Sequence, residues 1–393
     1  MRPATIEAWL AQLGNPAADR DYQPGHARIH ALLAHIHRHR PRLRIRIAGT
    51  NGKGSTGFML SEALKAAGLT VGLYTSPHLR RFNERIRLQG VPVADEHLRR
   101  ALERIMPHAL RIGASYFEVA TALALDIFAD ADVDAEILEA GVGARLDATT
   151  AVPADMALLT PIGLDHQAWL GDSLSAIAQE KAHIMDGCRR VLSAPQPACV
   201  MRVLRAHRSD LIIAQSAWSG TLATPGQHQR INAGLAWLAT QTLQRAGLIV
   251  ADTTRLRAAI ADTRVPGRLQ YVRWGERHIW LDAAHNEHAI EALLPTLPEL
   301  AQPLDAILLF TRPDRDLSHV LPRLRPYTRR LIAGQNAAGS FDRLRASLET
   351  ELTSRAKGAF LVLGSFTTVA AALDWLETNI ASNRAFNTPV DTG

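Results

Sequence analysis

The sequence predicts an α/β architecture in which a large, mainly parallel, doubly wound domain precedes a smaller α/β domain. Three features carry that reading. Strand-length apolar runs alternate with helix-length runs through the 393 residues. Polar residues gather where the strands end, which is where open α/β sheets bind their ligands. A Pro-Gly step at Pro266-Gly267 then restarts the alternation.

In chain order, the opening MRPATIEAWLAQLG reads as the start of an amphipathic helix and lacks the apolar core of a secretion signal. Residues 43–48 (LRIRIA) form a short strand that runs into a glycine-rich turn. A helix over 55–67 follows, closed by Gly68. Next come a strand at 70–74, an apolar helix at 117–128, buried strands at 135–139 and 156–160, and a helix at 174–184. The later part opens with a helix at 254–261 and a hairpin turning at Trp274-Gly275-Glu276-Arg277. A helix at 287–294 and strands at 306–310, 330–333 and 360–363 complete it, with a helix between the first two strands and a closing helix. The domain boundary falls at 263/264, giving domains 1–263 and 264–393. The His/Arg-rich stretch at 35–46 reads as a solvated helix face.

Composition removes several classes. Apolar residues at 47% and charged residues at 21% are globular values. No apolar run reaches the roughly 18 residues of a membrane span. Two cysteines, Cys188 and Cys199, suggest reduced thiols in a cytoplasmic protein. The net charge is 44 − 38 = +6, but the arginines are scattered without interleaved aromatic residues, which argues against nucleic acid. Of the 44 basic residues only Lys53, Lys65, Lys181 and Lys357 are lysine, so a lysine here is a marked position.

The sharpest motif is Gly49-Thr50-Asn51-Gly52-Lys53-Gly54-Ser55-Thr56, set between a strand and a helix. Backbone N–H groups of such a turn and the following helix N-terminus cradle phosphates. A lysine there reaches the β/γ-phosphates and a following hydroxyl meets Mg²⁺. Three more polar clusters follow strands: Ser76-Pro77-His78, Glu139 through Arg145 to Asp147, and Gly163-Leu164-Asp165-His166. Ser76, Glu139 and His166 can offer oxygen and nitrogen to a divalent metal, while Arg145, Asp147 and Asp165 can position substrates. Each alone reads as a loop residue or cap; their convergence at strand ends raises them to a site.

With these motifs on the page, the chain resembles the dihydrofolate synthase/folylpolyglutamate synthase family of the Mur-ligase superfamily. Gly49-Thr50-Asn51-Gly52-Lys53-Gly54-Ser55, Ser76-Pro77-His78-Leu79, Asn83-Glu84-Arg85-Ile86, Arg145-Leu146-Asp147-Ala148-Thr149, Gly163-Leu164-Asp165-His166 and Glu180-Lys181-Ala182 fall in the family's order. So do His228-Gln229 with Asn232-Ala233, Pro266-Gly267-Arg268, Asp282-Ala283-Ala284-His285-Asn286 and Gly364-Ser365-Phe366.

The resemblance implies a P-loop ATPase domain followed by a Mur-ligase-type domain that closes on ATP. It implies that Gly49 to Thr56 hold the triphosphate, with Asn232 on the adenosine and Arg268, Asp282 and His285 reaching ATP from the second domain. It implies Mg²⁺, as two ions, on Ser55, Ser76, Glu139 and His166, and on Lys181 carrying a carbamate. Lys53, Lys181, His166 and Arg268 then serve catalysis, and His78, Arg145, Asp147 and Asp165 the substrates. The implied reaction is ATP-dependent joining of L-glutamate to dihydropteroate, with glutamate extension of tetrahydrofolate as a second activity, through an acyl phosphate. The altered segment Asp21-Tyr22-Gln23-Pro24-Gly25-His26-Ala27-Arg28-Ile29 favours a second reading, a paralogue ligating an amino acid to another carboxylate. The partners expected are small molecules, a pterin carboxylate and L-glutamate, with no nucleic acid and no membrane, on a monomer.

Overall fold

The computed structural model describes residues 5–13, 25–36, 40–313, 315–336 and 340–386. The segment Asp21-Tyr22-Gln23-Pro24 lies outside them. The chain divides into two compact units, Met1–Ala223 with Gln229–Thr263, and Thr224–His228 with Arg264–Gly393. The chain thus contributes to the second unit twice.

The first unit is built on eight strands: β1 (Leu43–Ala48), β2 (Val71–Tyr74), β3 (Ile86–Leu88), β4 (Val91–Pro92), β5 (Ala135–Glu139), β6 (Met156–Leu159), β7 (Arg190–Ser193) and β8 (Ile212–Ile213). They order as β4-β3-β2-β5-β1-β6-β7-β8. From β2 to β8 every pairing is parallel, and only β3 and β4 join antiparallel at one edge. β1, β2, β5 and β6 are buried at every residue, as parallel strands covered on both faces must be.

The two faces are covered by different helices. Helix Lys53–Ala66 lays Met59, Leu60, Ala63 and Leu64 on Ile45, Ile47, Leu73 and Ile137, together with residues of helices Gln227–Arg245 and Thr253–Ala261. Across the sheet, helices Asp95–Ile112 and Tyr116–Asp130 pack on Tyr74 and Leu138. Helix Asp95–Ile112 buries Leu98, Ala101, Leu102, Ile105, Met106 and Ala109, an i, i+3, i+4, i+7 stripe, and stops at Gly113 in the left-handed region. Helices Leu174–Ala182 and Ala198–His207 share a third cluster with Leu159, Ile177, Val200 and Leu204.

The His/Arg-rich stretch is corrected here. Its last four residues, 43–46, belong to β1, where Arg44 and Arg46 are buried at 7% and 4% exposure rather than solvated, and residues 37–39 lie outside the described residues. Arg44 pairs with Glu136 on the neighbouring strand, and Arg46 donates to the carbonyls of Thr150 and Val152. The expected helix at 55–67 starts earlier, so that Lys53 and Gly54 lie inside its first turn.

The second unit holds a sheet of β9 (Gln270–Trp274), β10 (Glu276–Asp282), β11 (Ala306–Thr311), β12 (Leu331–Gln335) and β13 (Lys357–Leu363), ordered β12-β11-β13-β10-β9. Only the β9–β10 hairpin is antiparallel, turning at Gly275 with Trp274 opposite Arg277. Leu293, Leu297, Ile307, Leu309, Leu361 and Leu363 lie in its core. Both cysteines are free thiols. Among the described residues no helix is long and apolar enough to cross a membrane.

Candidate active site

Strands β2, β5, β1 and β6 lie side by side and parallel, so their carboxyl ends share one edge of the sheet. That edge carries Ser76, Glu139 at the end of β5, the glycine-rich loop after β1 and the Asp165-His166 loop after β6. The spacing of the motifs in sequence thus becomes adjacency in space.

The loop is shaped by two glycines. Gly49 and Gly52 have φ of +147° and +91°. A Cβ on Gly49 would run into the Thr160 hydroxyl, and one on Gly52 into the Asn232 carboxamide. Thr50 fastens the loop to the strand beside it: its Oγ1 donates to the Gly163 carbonyl and accepts from the Gly163 N–H, both at 3.0 Å. Gln196, which sequence reasoning missed, accepts from the Ile162 N–H at 2.9 Å and donates to the Thr160 carbonyl at 3.0 Å, bracing that same loop. Helix Lys53–Ala66 begins at Gly52 with no side-chain cap, so its first-turn N–H groups offer an anion site.

Two amines meet at one carbonyl. Lys53 Nζ donates to Gly49 O at 3.3 Å and to Thr50 O at 3.2 Å. Lys181 Nζ donates to Gly49 O at 2.9 Å from the opposite helix. Burial first, and then the charge of Lys53, push the Lys181 amine down to about 7 from its ordinary 10.5. These surroundings favour the uncharged amine over the ammonium.

Glu139 closes the group. Its Oε1 lies 4.0 Å from Lys53 Nζ, and its Oε2 accepts from the Ser76 N–H at 3.1 Å. Gly54 sits against the same carboxylate, where a Cβ would come within 3.4 Å. The Ser55 and Thr56 hydroxyls are buried and have no hydrogen-bond partner among the described residues. An orphaned hydroxyl beside a carboxylate and a phosphate-type loop is the oxygen set a Mg²⁺ ion takes, so these residues fit that ion. His166 stands beyond β6 with φ of +52°, and its N–H donates to Asp165 Oδ1 at 2.9 Å.

Other expected residues have different surroundings. Asp147 is fully enclosed, and its carboxylate accepts from the N–H groups of Gly141, Val142 and Thr149 and from the Thr149 hydroxyl, at 2.9, 3.2, 2.9 and 2.6 Å. These contacts hold the loop that carries it. Burial pushes its carboxyl up against the pull of those donors. Arg145 is half exposed and pairs with Glu180 at 3.0 Å. His78 accepts from Arg85 Nε at 2.8 Å, and burial together with that guanidinium pushes it down to about 4, so it is neutral at pH 7. Arg85 itself lies under the rings of Phe82 and Tyr116.

In the second unit Asp282 ends β10 and is 3% exposed. Its oxygens accept from the N–H groups of Leu269 and Ala284, each at 2.8 Å, so it holds the two loops that present Arg268 and His285. Arg268 lies 4.8 Å over the ring of Phe366, and the His285 ring stands 6.5 Å from the same ring. Phe366, in the Gly364-Ser365-Phe366 motif, thus lies beside both side chains.

A glycine-rich phosphate loop between a parallel strand and a helix, with two lysines and a glutamate at the strand ends, defines a P-loop nucleotide-binding α/β protein. No family model matches the chain. Among characterised relatives, the dihydrofolate synthase/folylpolyglutamate synthase of Bacillus subtilis strain 168 is 31% identical over 370 residues, covering 84% of each chain. That of Escherichia coli K12 is 32% identical over 366 residues, covering 84% of this chain and 86% of its own. The structure of E. coli FolC in complex with DHPP and ADP matches with a TM-score of 0.80 and 27% identity, covering 96% of this chain and 98% of that one. The chain belongs to the dihydrofolate synthase/folylpolyglutamate synthase family.

Proposed function

We infer that the protein is an ATP- and Mg²⁺-dependent ligase that joins L-glutamate to dihydropteroate and extends tetrahydrofolate with glutamate. The observation that carries this reading is the convergence of Lys53 and Lys181 on Gly49 O, with Glu139 4.0 Å from Lys53, at the strand ends of a chain similar over most of its length to synthases of both activities.

A carboxylate is a poor electrophile. ATP therefore phosphorylates it to an acyl phosphate; the glutamate amine attacks that carbonyl, a tetrahedral intermediate forms, and phosphate leaves. The loop from Gly49 to Thr56 holds the triphosphate through backbone N–H groups and the helix N-terminus. Lys53 supplies a positive charge to the transferring phosphoryl group. Ser55, Glu139, Ser76 and His166 are the residues that would hold Mg²⁺, which when bound neutralises charge between the phosphates. Lys181, as a carbamate, adds an anionic oxygen for a second ion; its uncharged amine is the form able to take up carbon dioxide. Asn232 is assigned to the adenosine, and Arg268 and His285 to ATP from the second unit, with the functional division of the chain at 263/264. Asp165 and His78 are assigned to substrate positioning. We place the enzyme in the cytoplasm as a monomer, with the free Cys188 and Cys199 in keeping with a reducing compartment.

The test is phosphate release from Mg-ATP with glutamate and a panel of carboxylates. Release with dihydropteroate and with tetrahydrofolate is expected. Silence with both, and release with another carboxylate, would replace this reading with that of a paralogue.

A further inference from the structure

Away from the strand-end site, His183, Asp186 and His207 bring two imidazoles and a carboxylate together. One ligand atom of each lies within 4.8 Å of the others. His183 Nδ1 faces one oxygen of Asp186 at 2.8 Å, and His207 Nε2 faces the other at 2.7 Å. The two rings meet edge-on with centroids 5.0 Å apart. The three side chains come from two pieces of the first unit. His183 opens the turn His183–Met185 that continues helix Leu174–Ala182, Asp186 follows that turn, and His207 is the last residue of helix Ala198–His207.

The trio is distinct from the ligands of the strand-end site. His183 lies two residues past Lys181, and residues two apart on a helical turn do not share a face. Its chemistry differs too. Mg²⁺ takes oxygens, whereas two imidazoles with one carboxylate are the borderline donor set of zinc, cobalt and nickel. His183 and His207 also line a cavity of about 650 Å³ together with Arg145, Gln179, Glu180 and Arg202. The nitrogens are therefore within reach of a solvated ion, and a metal held by three side chains keeps an open coordination position.

We propose that His183, Asp186 and His207 form a binding site for a zinc-class divalent cation. An ion there ties the end of the Lys181-bearing helix to the end of helix Ala198–His207. Because those ligands are assembled only in the folded chain, binding stabilises it by linkage.

The experiment is a titration of the full chain with Co²⁺ and then Zn²⁺, in excess Mg²⁺ and without nucleotide, so it does not depend on ligase activity. One equivalent of Co²⁺ is expected to develop visible ligand-field absorption, Zn²⁺ to displace it, and Zn²⁺ to raise the melting temperature. Losing even an outer partner of a metal site weakens binding about 10- to 100-fold, so His207→Ala and Asp186→Asn are each expected to weaken uptake by at least about tenfold. Lys53→Ala is expected to leave it unchanged. Asp186→Asn is nearly isosteric at a half-exposed position and keeps the test decisive where His207→Ala disturbs the helix. Absence of uptake by the wild type, or equal uptake by Asp186→Asn, would overturn the proposal.

Discussion

Lys181 Nζ donates to the carbonyl oxygen of Gly49 at 2.9 Å, across 132 residues of sequence. The amine of one helix is thereby fixed against the phosphate loop of another. Its burial and the nearby Lys53 hold it down to about 7, which sets the conditions for carbamate formation. Uptake of ¹³C-bicarbonate, followed by carbamate ¹³C NMR, is expected in the wild type and is expected to vanish in Lys181→Ala. Ligase turnover of Lys181→Ala is expected to be lost and partly restored by short carboxylates. Lys181→Arg, which has no primary amine, should be equally inactive. Full activity in Lys181→Arg would refute the carbamate.

The same amine makes stability depend on pH. Its folded value, about 7, lies below the 10.5 of an exposed lysine, so between these limits the unfolded chain binds the extra proton. Stability is therefore expected to rise with pH from about 7 toward 10.5 through this group, and to carry the full cost of a buried ammonium below pH 7. In Lys181→Met that contribution disappears. Urea midpoints measured at several pH values should show the variant gaining most on the wild type at pH 6 to 7 and progressively less above it. Parallel curves for the two proteins would show that the amine is not held in this state.

Lys53 and Glu139 divide the work at the loop, and their variants should separate. Removing one preorganised charge-stabilising group typically lowers kcat by roughly 10²- to 10³-fold. Lys53→Ala is expected to lose at least that much and to weaken ATP binding. Glu139→Gln keeps shape but not charge, and is expected to raise the Mg²⁺ concentration needed for half-activity. Near-wild-type turnover in either variant would dismantle the site.

The loop glycines give a stability test with an internal control. Gly52 has φ of +91°, and a Cβ there meets the Asn232 carboxamide. A non-glycine residue in such a conformation costs of order 1–3 kcal/mol. Gly52→Ala should lower stability by more than that, because the clash adds to the strain, and should abolish nucleotide binding. Pairing it with Asn232→Ala removes the clash but not the strain, so the double variant should recover part of the stability loss. Full recovery would show that backbone conformation plays no part.

The mainly parallel α/β alternation and the glycine-rich loop between β1 and its following helix were legible in the sequence because both rest on local signals. Glycine pairs mark turns, apolar runs mark parallel strands, and scarce lysines mark Lys53 and Lys181. What stayed hidden depends on partners distant in sequence or on the backbone. Asp147 and Asp282 read as ligand carboxylates, and what the sequence does not show is that each also accepts from N–H groups of its own loops. Helix Asp95–Ile112 went unread because its charged residues outnumber its buried stripe and Pro107 breaks the pattern. Gln196 braces loops that only the fold brings to it. The arginines of LRIRIA join the His/Arg run that reads as a solvated face, and their burial is set by Glu136 on the neighbouring strand, a partner distant in sequence.

That pairing supports the last prediction. Arg44 and Glu136 are direct neighbours in the β1–β5 register, at 7% and 1% exposure. Arg44 Nη1 also donates to the Pro153 carbonyl at 3.0 Å, and its N–H to Asp155 Oδ2 at 2.9 Å. Removing one partner of a buried ion pair strands the other charge and costs about 3–5 kcal/mol, whereas replacing both with apolar groups is often neutral. Arg44→Met should therefore lower the denaturation midpoint sharply, and Arg44→Met with Glu136→Leu should recover most of the loss. The Pro153 carbonyl would lose its donor in both variants, so recovery is expected to stop about 1 kcal/mol short of the wild type. A neutral Arg44→Met would mean that water reaches Glu136 in the middle of the sheet.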